Sequence, residues 1–111
     1  MQRAKNTDKT PSDRIYLAIE ESIRIKGKLA LKGFSLLDID RAYDLPRGTA
    51  GTTLREPNVA GERAIAAALG TKPHLLWRRR YHASGLRKTP QPAVNYERPP
   101  TLQQRQNNAQ V

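Results

Sequence analysis

Cysteine is absent from the chain. That excludes disulfides and thiolate metal sites, and nothing in the composition argues for an oxidising compartment. Aromatic residues are scarce: one Trp, one Phe and four Tyr, five per cent of the sequence. The core must therefore rely on aliphatic side chains and on one large ring, Trp77. No apolar run is long enough to span a bilayer, and the opening MQRAKNTDKTPSD lacks the apolar stretch of a signal peptide. Acidic residues are in deficit, 10 against 20 Lys and Arg, for a formal charge of +10. Such an excess favours polyanions: DNA, RNA or an acidic membrane surface. A cytoplasmic bacterial or phage protein is the simplest setting.

What is present is one domain's worth of chain, 111 residues, with its charge unevenly placed. Residues 1–14 carry +2, residues 15–77 another +2, and residues 78–111 carry +6. A nearly balanced core with a basic C-terminal arm suits a folded reader with a tail. From Pro11-Ser12-Asp13, a helix start, an apolar stripe of Ile15, Leu17, Ala18, Ile19, Ile23 and Ile25 runs to Gly27. Its continuation to Lys32 is open, and Gly33 stops it in either case. Ser35 is an N-cap with Asp38 three residues on, a weaker capping box. Leu36, Leu37, Ile39, Ala42 and Tyr43 form the buried side of that helix. Pro46 forbids continuation. Thr49 to Arg55 forms a helix only if Ala50 and Leu54 pack, because Gly51, Thr52 and Thr53 have poor propensity. Gly61 to Leu69 is a helix ended by Gly70, and Thr71 caps a last one opened by Pro73 and anchored by Leu75, Leu76 and Trp77. The expected architecture is all-α: a compact bundle of about five short helices containing a helix-turn-helix. Residues 1–11 read as a disordered N-terminal arm, 12–83 as the helix-turn-helix domain, and 84–111 as a disordered basic tail too poor in apolar residues to bury itself.

The stretch SLLDIDRAYDLPRGTAGTTLR, Ser35 to Arg55, carries the function. An apolar-spaced helix, an Asp-Leu-Pro-Arg-Gly break and a second helix of small and hydroxyl residues form the pattern of a DNA-reading helix-turn-helix. Arg47, Thr52 and Arg55 fall on the outer side of the second helix, with Gly48 and Gly51 letting the backbone come close. Arg can take guanine O6 and N7 together, and Thr a phosphate or thymine methyl. The bland alternative is a solvated loop with ordinary surface charges. Ser35 at a helix start can face phosphate, or serve only as a cap. Arg78, Arg79 and Arg80 spread around a helix, so at least one can reach a phosphate. Trp77 reads as core rather than as a base-stacking platform. His74 and His82 are lone surface histidines and make no metal site. No Ser/His/Asp set, glycine-rich phosphate loop or carboxylate pair supports catalysis, so no enzyme, cofactor, metal or small-molecule substrate is expected.

SLLDIDRAYDLPRGTAGTTL followed by GERAIAAALGTKPHLLWRRRY resembles the Ner family, the small phage Ner repressors and bacterial Ner-like proteins. The resemblance runs from about Ile15 to Tyr81. It implies a lambda-repressor-like helical domain that docks its second motif helix in the major groove and regulates transcription, often in a mobile element. Carried over, the groove-facing surface falls on Arg47, Gly48, Thr49, Gly51, Thr52 and Arg55. The phosphate-facing surface includes the Ser35 helix start. Asp40 stands where many such motifs have a small residue, so it must point out or find a donor. Asp44 takes the place of the usual turn glycine, and Ala50 replaces a larger apolar residue. The expected partner is double-stranded DNA. A protein-interaction role, as an anti-activator on another regulator or as a dimer with itself, and non-specific nucleic-acid binding through the basic tail are the alternatives.

Overall fold

In a computed structural model of the chain, residues 11–96 are described, with side chains from Ile15 onward. The N-terminal arm expected over residues 1–11 lies outside them except for Pro11, as does the expected tail beyond Tyr96. Five α-helices follow one another: α1 (Pro11–Leu31), α2 (Leu36–Ala42), α3 (Thr49–Arg55), α4 (Val59–Leu69) and α5 (Pro73–Leu76). Two 3-10 turns, Arg78–Arg80 and Ala93–Tyr96, complete the described residues. There is no strand among the described residues, and no helix is long and apolar enough to cross a membrane. The all-α fold with a helix-turn-helix inside it is the one observed.

α1 passes straight through Gly27 and ends four residues later. Its exit is a Schellman turn: the Phe34 N–H reaches the Leu29 carbonyl and the Gly33 N–H the Ala30 carbonyl, both at 2.9 Å. α4 ends in the same way at Gly70, with the Thr71 N–H on the Ala66 carbonyl at 2.9 Å. Ile25 and Leu29, one turn apart on α1, enter the core, whereas Ile23, expected on the buried stripe, is exposed. α2 starts with a closed capping box. The Asp38 N–H donates to Ser35 Oγ at 3.0 Å and the Ser35 N–H to Asp38 Oδ2 at 2.8 Å. Ile39 is fully buried, but Ala42 and Tyr43, expected on the same side, lie exposed at the helix end. Thr71 does not cap α5. Lys72 holds that position in extended backbone without a side-chain bond, and Pro73 opens the helix.

α3 sits in the middle, against α4, α1 and α2. Ala50, Thr53 and Leu54 point inward and are buried, and this packing overrides the poor propensity of the segment. The Thr53 hydroxyl donates to the Thr49 carbonyl at 2.7 Å, and the Ser22 hydroxyl of α1 donates to the Leu54 carbonyl at 2.8 Å. Gly61 allows α3 and α4 to approach closely. A Cβ there would overlap Thr53 Oγ1 and stand 2.8 Å from Thr53 Cβ. Trp77 is fully buried with Ile39, Ile65 and Leu76.

The sequence places the domain's end at residue 83, with a disordered tail after it. The structure carries the packed chain on to Asn95. Gln91 Nε2 donates to the carbonyls of Arg80 and Lys88, both at 2.8 Å. The buried Asn95 Nδ2 donates to the Arg79 carbonyl at 3.1 Å and to Gln91 Oε1 at 2.8 Å. Three of these four bonds run from side-chain amides to backbone carbonyls, so polar groups hold the segment.

Gly61→Ala should destabilise the domain by about 1–3 kcal/mol through overpacking, and adding Thr53→Ala should recover part of that loss in a denaturant double-mutant cycle. Strictly additive losses would show that the two sites do not touch. Ending the chain after Tyr81 should lower stability by about 2 kcal/mol or more, the worth of the hydrogen bonds removed. A truncated protein with the unfolding midpoint of the full chain would place the segment off the domain.

Candidate nucleic-acid interface

The two motif helices are joined by one side chain. Asp40, near the end of α2, is buried, and both of its carboxylate oxygens are used. Oδ2 accepts from the Gly48 N–H and Oδ1 from the Ala50 N–H, each at 2.8 Å. The Asp40 carbonyl accepts from the Leu45 N–H at 2.8 Å. The residue that had to point out or find a donor finds two of them at the start of α3. It supplies the cap that Gly48, lacking a side chain, cannot, and puts a negative charge at the positive end of the helix. Asp44 takes the turn at φ 57, in the left-handed region that Asp tolerates better than most residues.

With Ala50, Thr53 and Leu54 turned inward, Thr52 and Arg55 lie on the opposite side of α3 and Thr49 on its flank in the first turn. Arg55 is exposed and the two threonines are half-buried. Arg47 and Gly48 stand exposed at the N-terminal end of the same helix. Gly51 is half-buried and faces α2, where a Cβ would meet Leu36 Cδ1 at 3.9 Å, an ordinary contact. Ser35 is a working cap, its hydroxyl and N–H both engaged with Asp38.

The arginine run divides three ways. Arg78 is exposed. Arg79 Nη2 lies 2.9 Å from Glu21 Oε1, tying the 3-10 turn to α1. Of the three arginines of which at least one is expected to reach a phosphate, Arg80 is buried. Its Nη1 is 3.2 Å from Glu62 Oε2, and its guanidinium lies 5.0 Å from the centre of the Trp77 ring.

Beyond this run lies a feature that the sequence reading missed. Tyr81 and Arg87 pair in antiparallel fashion, the Leu86 carbonyl accepts from the His82 N–H at 2.7 Å, and the His82 carbonyl from the Gly85 N–H at 2.9 Å. This is a short hairpin with the loop Ala83-Ser84-Gly85, and Gly85 takes φ 93 to close it. His82, Ala83, Ser84 and Leu86 are exposed at its tip. Ser84-Gly85 is the turn signal, but the flanking residues alternate too weakly to mark strands.

The base of the hairpin is fastened to α4 by Glu62, which is fully buried. Arg87 donates to it twice, at 3.2 and 3.3 Å, and the Tyr81 hydroxyl once, at 2.6 Å. The Asn58 N–H completes the set at 2.9 Å, making Glu62 part of the α4 cap as well. Burial by itself pushes the Glu62 carboxyl up. The bonds from Arg87, Tyr81 and Asn58 and the charge of Arg80 outweigh it and hold the carboxyl below its ordinary value. Burial and the adjoining Glu62 carboxylate push the Tyr81 phenol up to about 12.

The family described as winged helix-turn-helix DNA-binding matches residues 21–92. That span covers the motif helices, the hairpin and Gln91. No curated protein and no solved structure matched the chain.

Stability should respond to pH at both ends. Glu62 keeps its charge to lower pH folded than unfolded, so its contribution is complete above pH 4.5, its ordinary value, and is lost as pH falls through the lower folded value. Tyr81 contributes below pH 10, and that share is lost as pH rises to about 12. Chemical denaturation across pH should show both slopes, with the acid one reduced in Glu62→Gln. An unchanged acid slope in that variant would remove Glu62 from the account.

Proposed function

Because the chain belongs to the winged helix-turn-helix DNA-binding family, we propose that it is a sequence-specific regulator of transcription that reads the major groove with α3. The observation that carries this reading is the outer side of that helix. Arg47, Thr49, Thr52 and Arg55 are accessible there, on a helix whose other side is anchored in the core and whose start is held by Asp40. Arg47 and Arg55 are the candidates for guanine edges, and Thr49 and Thr52 for thymine methyls or phosphates. At Gly48 nothing occupies the space where a Cβ would stand, which leaves room for a phosphate or base to approach. Gly51 adds no bulk to the same helix. Ser35 belongs to the phosphate-facing edge through the position of α2 rather than through its capped side chain.

The hairpin takes the part of the wing. Its exposed tip, with Arg78 next to its base in the chain, would lie along the neighbouring backbone or minor groove. Arg79 and Arg80 support this surface from within. The likeness of the Ser35–Tyr81 stretch to the Ner proteins favours a role in the control of a phage or other mobile element. The protein acts by occupying DNA, without catalysis.

Selecting bound duplexes from a random pool, then titrating preferred and random DNA at two salt concentrations, tests the proposal. A specificity ratio of about 10³ or more is expected, against uniform binding that vanishes with salt if only the net charge acts. Arg47→Ala should weaken binding to the preferred site by about 1–3 kcal/mol and relax one base position. Equal losses on preferred and random DNA would make Arg47 a phosphate contact.

A further inference from the structure

We propose that the groove between the end of α1 and the α4–α5 corner docks an acidic amphipathic helix of another protein. The groove encloses about 310 Å³. Among the described residues its apolar surface comes from Leu31, Leu69, Leu75 and Leu76, and its charged lining groups are Lys28 and Lys32. Leu31 is 90% exposed and Leu75 50% exposed, while Leu76 is buried and forms the floor. Large aliphatic side chains gathered round one concavity lose free energy to water at each exposed face, and such patches mark interaction sites.

The chemistry of the lining selects the occupant. A phosphate backbone would use the two lysines but gain nothing from four leucines. A second copy related by a two-fold axis would bring its own Lys28 and Lys32 against these, like charge on like charge. An amphipathic helix with leucine-like side chains at spacings of three and four fills the apolar floor, and carboxylates along its edge meet the lysines. Lys28 is in the last turn of α1, where the helix dipole favours it, so the basic edge is in place before any partner arrives. None of these residues belongs to the α3 edge or the hairpin, so this inference is separate from the DNA reading.

The test uses the full chain and two synthetic peptides of about 15 residues, long enough to form a helix. Both carry Leu on one face. The first has Glu on the other face and the second has Lys. Amide resonances of Lys28–Lys32, Leu69–Thr71 and Leu75–Leu76 should shift with the acidic peptide. The acidic peptide should bind about tenfold or more tightly than the basic one, the order expected of two partly exposed charge pairs, and weaken with salt. Leu31→Glu with Leu75→Glu should abolish the shifts without unfolding the domain, since both side chains already face water. Lys28→Glu with Lys32→Glu should invert the peptide preference. Equal affinity for the two peptides, or no shift at this face, overturns the proposal. So does a dimer in sedimentation that the leucine variant dissociates, because a second copy then fills the groove. Shifts of the same amides by a DNA duplex would assign the lysines to phosphate and overturn it equally.

Discussion

A fully buried carboxylate is tolerable only where charge and hydrogen bonds replace the water it has lost. Glu62 is that carboxylate here, and three parts of the molecule meet on it. Through Asn58 it closes the start of α4, through Arg80 it takes up the arginine beneath the Trp77 ring, and through Tyr81 and Arg87 it holds both sides of the hairpin. The dependence runs both ways. Without the hairpin, Glu62 loses both bonds from Arg87 and part of the cover that keeps it from water. Without Glu62, Arg80 is a buried cation that has lost its one salt-bridge carboxylate and keeps the Trp77 ring face and the more distant charge of Glu21. The helical body and the segment after Tyr81 are therefore one unit, and the covered core extends past the last apolar residue of the helices.

Asp40 plays the same part at the start of α3. In both places an acidic side chain from inside the domain accepts backbone N–H groups at the start of a helix, Gly48 and Ala50 for α3 and Asn58 for α4. Glu21 adds a third internal acid, bound to Arg79. Three of the seven acidic residues between positions 15 and 77 are thus buried. The nearly balanced formal charge of that span is misleading, because the acids are drawn inward and most of its Lys and Arg stay outside. A domain built this way presents a more cationic surface than its composition states, which favours encounter with a polyanion.

What the sequence showed and what it did not follow from the range of the interactions. The Ser35–Asp38 box and the glycine exits of α1 and α4 depend on residues three to five apart, and the break between the motif helices on Pro46, so local spacing displays them. The separation of Arg78, Arg79 and Arg80 into an exposed, a paired and a buried side chain does not depend on local spacing. It depends on Glu21 and Glu62, 58 and 18 residues away. The packing of residues 84–96 is not legible in apolar content because polar groups make it: Arg87 on Glu62, and Gln91 and Asn95 on backbone carbonyls and on each other.

The sequence by itself determined the helical class, the place of the motif and the outer side of α3. Amphipathic period, caps and breakers act within a few residues and need no knowledge of the rest of the chain. Tertiary structure alone decided which charged groups remain for a partner and that the chain after Tyr81 packs on the helices. The fate of Asp40, Glu62 and Arg80 depends on whether a donor or acceptor arrives from a distant segment, and in a poorly polar interior that pairing outweighs any local preference.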